Sequence, residues 1–139
     1  MNYVFKINPA RSKIFSLSLT SVKMNLAVDF TNKADIDLIV SGYNLNLLLN
    51  GHGVSNIVSS DTQLVKANSI SPFNIGIEFN PTQVFANNKA QLLRLGNDLL
   101  TNKNNIVFTL TGTVSGAALG ITDKNIPVSM NFTLADLTA

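Results

Sequence analysis

The chain has 139 residues and a mass of 15.0 kDa, the size of one domain, and its lack of cysteine excludes a disulfide framework, a thiol nucleophile and thiolate metal sites. Charged residues make up only 13%, about half the usual ~25%, and the shortfall is filled by 19 Asn, 12 Ser and 11 Thr beside an apolar fraction of 45%. A net charge of +2 is too small to argue for nucleic-acid binding, and the single histidine rules out a multi-histidine metal site within one chain.

The first segment, residues 1–12, reads as an N-terminal arm ahead of a single domain over residues 13–139. It combines apolar Tyr3, Val4, Phe5 and Ile7 with Lys6 and Arg11, and Lys13 follows directly. Lys6, Arg11, Lys13 and Lys23 all precede the first acid, Asp29, so residues 1–28 carry +4 and the remainder −2. Such an arm can dock on an acidic partner or on phosphates, or add as an edge strand to a neighbour. No basic n-region followed by an apolar stretch opens the chain, so it is expected to be made in a cytosol without a signal peptide.

Period-two alternation then dominates. Phe15, Leu17 and Leu19 alternate with small polar residues, and Val22, Met24, Leu26, Val28 and Phe30 continue in the opposite phase. A change of phase near Thr20-Ser21 predicts a bulge or sharp bend, since a slip of one residue flips every side chain. Ile36, Leu38 and Val40 follow, and a second shift at Ser41-Gly42 leads into Tyr43, Leu45, Leu47 and Leu49. Asn50-Gly51-His52-Gly53 is a strong hairpin signal. Residues 38–60 are uncharged, but Ser41, Asn44, Asn46, Asn50 and His52 interrupt them, so they are no membrane span. Phe73, Ile75, Ile77 and Phe79 predict another half-buried strand, ended by Asn80-Pro81.

One segment follows a different period. Val84, Phe85, Leu92, Leu95 and Leu99 recur every three to four residues, predicting a helix near residues 83–100 with Pro81 at its start. Ile106, Phe108 and Leu110 then pair with Ile126, Val128, Met130, Phe132 and Leu134, joined by the Gly-rich residues 112–120. Seven or eight short strands with one helix before the last hairpin predict a mainly β chain, a small antiparallel β-sandwich.

Little in the sequence carries chemistry. His52 is the one general-base candidate near neutral pH, and its Gly-His-Gly setting reads as a hairpin turn. Asp35 and Asp37 flank Ile36 and could hold a hard cation, but metal loops present more oxygens and the solvent face of a strand accounts for both. Gly112-Thr113-Val114-Ser115-Gly116 sets its serine one place too late for a nucleophile elbow, and the glycines match no phosphate-binding fingerprint. No enzyme activity, cofactor, metal or small-molecule substrate is expected.

The order of features nevertheless resembles a known family. The run from Ser18 through Leu26, Asp29-Phe30-Thr31-Asn32 and Ile36-Asp37-Leu38 resembles the late embryogenesis abundant type 2 domain, also called the water stress and hypersensitive response domain. Leu48-Leu49-Asn50-Gly51-His52-Gly53-Val54, Ser71-Pro72-Phe73, Phe108-Thr109-Leu110-Thr111-Gly112 and Ile126-Pro127-Val128 follow in the family's order. The likeness spans roughly residues 13–135. Asn32-Lys33 stands where the family has Asn-Pro. The resemblance implies a fibronectin type III/immunoglobulin-like sandwich, no enzymatic site and, in plants, a link to desiccation tolerance; members also occur in bacteria and their phages.

Two functional classes follow. A charge-poor surface rich in Asn, Ser and Thr suits permanent packing between subunits, where buried charge is costly. The first expectation is therefore a multi-copy structural protein of a bacteriophage virion (neck, ring, tail or capsid-associated), with protein subunits as partners and nucleic acid no partner. Its candidate contacts are Tyr3, Phe5, Lys6, Arg11 and Lys13 of the arm, Asn50 and His52 of the hairpin over residues 47–57, and Leu119 of the Gly-rich connection. The alternative is a soluble, cytoplasmic stress-protective protein of the late embryogenesis abundant type 2 class.

Overall fold

A computed structural model describes residues 2–119 and 121–138, with the side chains of residues 121–124 outside the description. The alternation after the first phase change forms β3 (Val22–Asn32), the spine of one sheet. β7 (Ser69–Phe79) pairs antiparallel along its whole length, from Val22 opposite Phe79 to Asn32 opposite Ser69. On the other edge of β3 two short strands lie end to end: β1 (Tyr3–Ile7) against residues 28–32 and β2 (Lys13–Leu17) against residues 22–25. In the second sheet β4 (Leu38–Leu49) carries β8 (Val107–Ala118) on one edge. β5 (His52–Ser59) and β6 (Gln63–Val65) share its other edge, and β9 (Ile121–Thr133) pairs beyond β8.

The two sheets form an antiparallel sandwich, as the pattern predicts. Alternate residues of each face meet in the middle: Met24, Leu26, Phe30 and Ile77 from the first sheet, Leu38, Leu47, Leu49, Phe108 and Leu110 from the second, all buried. Fully burying one such side chain contributes about 1.5–3 kcal/mol, so the facing rows hold the sheets together.

Several local expectations change. Of the two forms expected at Thr20-Ser21 the structure has the sharp bend, a tight turn from β2 to β3 where the Ser21 N–H donates to Ser18 Oγ at 3.1 Å. The bulge comes earlier, between Ile14 and Ser16, and turns Phe15 out to solvent. The helical segment divides into α1 (Pro81–Val84) and α2 (Lys89–Thr101). Asn80 and Asn88 cap them by accepting from the Gln83 and Gln91 N–H groups, and a fresh cap starts a fresh helix. A short α3 (Leu134–Thr138) ends the chain, with Leu134 fully buried.

The Gly-rich residues are not a connection. Gly112 and Gly116 lie inside β8, and the β8–β9 turn comes at Leu119; Gly120 lies outside the described residues. Gly112 has φ +150°, and a Cβ there would sit 2.1 Å from the Asn44 carbonyl oxygen, so β8 needs glycine where it crosses β4. Gly42 marks the expected bulge, a register shift between Val40 and Gly42 against β8. The hairpin at Asn50-Gly51 is also as expected, with positive φ at both residues (49° and 83°), but it is tighter than residues 47–57, because Leu47, Leu49 and Val54 are core.

The Asn32-Lys33 corner has its own logic. Asn32 is fully buried; its Nδ2 donates to the Ile36 and Val65 carbonyls at 3.0 and 3.3 Å, and its Oδ1 accepts from the Ala34 N–H. One side chain thus shapes the turn and ties β3 to β6 across the two sheets. The Lys33 N–H donates to the Asn2 carbonyl at 2.7 Å, extending the β1–β3 ladder, a bond that proline could not make.

Candidate functional site

The residues singled out from sequence lie apart from one another. Tyr3 and Phe5 are in β1, half-buried, with their rings edge-on to Phe30 at centroid distances of 5.8 and 4.5 Å. The segment expected as an arm is thus a strand of its own sandwich: its alternate side chains find an apolar row on β3, and its backbone pairs there. Lys6 and Lys13 are exposed on the outer side of that sheet, and Arg11 pairs with Asp29. Asn50 shapes the β4–β5 turn, its Oδ1 accepting from the Val107 N–H at 2.9 Å. His52 begins β5, exposed, with its ring 5.0 Å from that of Phe85. Leu119 stands at the β8–β9 tip, 80% exposed.

Among the described residues no acid–base constellation assembles around His52. The Asp37 carboxylate accepts from the Ala67 N–H at 2.8 Å and that of Asp35 from Asn68 Nδ2 at 3.1 Å, so both acids brace the neighbouring turn. Among the described residues no three of His, Asp and Glu come together as a metal-holding group.

The distinctive surface is one that strand-by-strand reading missed: the outer face of the second sheet. β4, β5 and β8 contain no Asp, Glu, Lys or Arg, and β9 carries them only at Asp123 and Lys124 near its start. The register sets outward residues side by side. One row runs Asn56–Asn46–Thr111–Ser129, and the next runs Val58–Asn44–Thr113–Pro127. A third brings Leu48 beside Thr109 and Asn131. Rows lie about 6.7 Å apart along the strands and neighbours about 4.8 Å apart across them.

Hydrogen bonds hold this array in order. Asn56 Nδ2 donates to Asn44 Oδ1 at 2.8 Å and to Asn46 Oδ1 at 2.9 Å, and Thr109 Oγ1 donates to Asn131 Oδ1 at 2.7 Å. Ser41, Gly42, Tyr43, Ser59, Ser60 and Thr113 border a notch of about 350 Å³ on the same face. By contrast, Lys6, Lys13, Lys23, Asp29 and Glu78 lie on the first sheet. Among the described side chains of the two sheets the charged ones lie on the first, and the second offers neutral donors and acceptors.

The profile of the family described as late embryogenesis abundant protein matches residues 27–131. The chain belongs to that family. The match covers most of β3 and both central strands of the second sheet, so it includes most of the uncharged face. No curated protein sequence matches the chain. Among solved structures the chain is similar to a protein from Archaeoglobus fulgidus, with 11% identity, 94% of each chain covered and a TM-score of 0.53. It is also similar to an ApaA protein from Bordetella pertussis, with 11% identity, 94% of this chain and 91% of that one covered and a TM-score of 0.59. A protein of Arabidopsis thaliana solved in solution has 16% identity, with 88% and 76% covered and a TM-score of 0.53. At these identities the likeness is one of fold, and it confirms the sandwich that late embryogenesis abundant type 2 membership implies. No helix among the described residues is long and apolar enough to cross a membrane.

Proposed function

We propose that this late embryogenesis abundant type 2 protein is a non-enzymatic protectant, which shields other macromolecules through the uncharged outer face of its second sheet when water is withdrawn. The observation that carries the reading is the ordered Asn, Ser and Thr array free of Asp, Glu, Lys and Arg over β4, β5 and β8. Drying strips water from polar groups on a client surface, and each group left unpaired costs about 1–3 kcal/mol. Neutral hydroxyls and amides can take the place of that water without burying a charge, which would cost far more. Rows of short amides and hydroxyls at sheet spacing suit broad, shallow contact with a client surface.

Family membership supports this class, named above as the alternative, over a place in a bacteriophage virion, for which neither the family nor the structural likenesses give support. The test is to dry and rehydrate lactate dehydrogenase with this chain or with an equal mass of lysozyme. The chain should preserve distinctly more enzyme activity. Protection no better than that of lysozyme would overturn the proposal.

A further inference from the structure

We propose that copies of this chain associate head to tail, the acidic apolar groove at one end of the sandwich receiving the basic apolar groove at the other end of the next copy. The inference goes beyond the protective reading and does not depend on it.

Among the described residues eleven large apolar side chains are exposed, and six of them stand at the two ends of the sandwich. At the end where β3 finishes, Ile36, Ile39, Leu64 and Leu119 line a groove of about 510 Å³ with Asp35 and Asp37. Ile39 is cross-strand neighbour to both Leu64 and Ala117, so the apolar surface is continuous across three strands. Leu119 is 80% exposed with φ +52°, a strained backbone conformation that leucine rarely adopts. A turn tip free of contacts would suit glycine or asparagine there; a strained, exposed leucine marks a contact residue.

The second groove, about 600 Å³, lies where β3 begins, about 33 Å away along that strand. Leu17 enters it from the end of β2, Leu19 from the β2–β3 turn, Leu93 and Leu100 from α2, and Lys103 also lines it. Leu93 and Leu100 are 73% and 89% exposed. Gly96 leaves room for Leu19, whose Cδ1 lies 3.3 Å from where a Cβ would be, so the groove has an apolar floor beneath the helix.

The two grooves are alike in size, and the charged residues that line them are opposite in sign. Pairing like ends would set the two acids of one copy against those of the next, or lysine against lysine; pairing unlike ends puts Lys103 against Asp35 and Asp37. Such a contact is heterologous, and repeated it gives a ring where the rotation closes and a filament where it does not. Two grooves of this size make a contact of the smaller class, so association rises with concentration.

Sedimentation velocity on the full chain up to about 1 mM tests this, with Leu119→Asn blocking one end and Leu100→Glu the other. Both positions are exposed, and Asn tolerates the left-handed backbone. Should Leu100→Glu disturb the fold by circular dichroism, Lys103→Glu blocks the same end by charge. The wild type should form concentration-dependent oligomers and each variant alone should stay monomeric. An equal mixture of the two should form a dimer and nothing larger, because each variant keeps the end that the other lacks. A wild-type monomer at the highest concentration would overturn the proposal and assign the grooves to another partner. Oligomers lost in only one variant, or a mixture that stays monomeric, would overturn it equally.

Discussion

Asn32 shows how much one side chain can carry. It is the buried polar residue that joins the two sheets, bonded to Ala34, Ile36 and Val65. Asn32→Ala leaves the buried Val65 carbonyl and the turn's Ala34 N–H and Ile36 carbonyl short of a partner and should cost about 1–3 kcal/mol, read as a lower urea midpoint with an unchanged slope. The glycines of the sheets separate in the same way. Gly112→Ala drives a Cβ to 2.1 Å from the Asn44 carbonyl oxygen at a φ of +150°, and should destabilise by about 3 kcal/mol or leave the chain unfolded. Gly76→Ala on β7 meets nothing within 4 Å and has no strained φ. It should be neutral or stabilise by about 0.4–1 kcal/mol, because alanine restricts the unfolded chain more than glycine does. Thermal melts of the two variants side by side check both.

At the scale of elements, β1 is where the structure changes the expectation most. Read alone, residues 1–12 look like an arm for a neighbour, because alternating apolar residues with interspersed charge serve equally to pair with another chain or with the same one. The structure pairs β1 with β3 and sets Tyr3 and Phe5 against Phe30. Deleting residues 2–12 should therefore not leave an intact domain: it uncovers Phe30 and removes the ladder beside β3, and should lower stability by more than about 3 kcal/mol in a thermal melt. Strands with strict alternation and a marked turn were legible, as β7 and the Asn50-Gly51 hairpin show. The break between α1 and α2 was hidden because Val84 and Phe85 keep the helical period up to the new cap at Asn88. β8 was cut short because glycine reads as punctuation, whereas Gly112 and Gly116 mark close approaches of backbone or side chain inside a strand. The uncharged face was legible in composition but not in place. Asn44, Asn56, Thr111 and Ser129 are scattered over 86 residues of sequence, and only the register brings them together.

Across the whole molecule, a chain poor in charge becomes a sandwich with two unlike sides. Lysines and acids share the outer surface of the first sheet, and the second sheet turns out rows of amides and hydroxyls. His52 lies at the edge of this arrangement with its ring against Phe85. His52→Ala should cost only about 0.5–1.5 kcal/mol in a melt and leave protection of a dried enzyme unchanged. The central claim is that protection belongs to one face, and a comparison of faces tests it most directly. One variant carries Asn46→Lys, Thr111→Glu and Ser129→Lys on the second sheet; the other carries Asn25→Lys, Thr31→Glu and Asn74→Lys on the first. Both sets change net charge equally, and both should fold. After drying and rehydration of lactate dehydrogenase, the second-sheet variant should lose most of the wild-type protection while the first-sheet variant keeps it. Equal protection by both variants would contradict the assignment of function to that face.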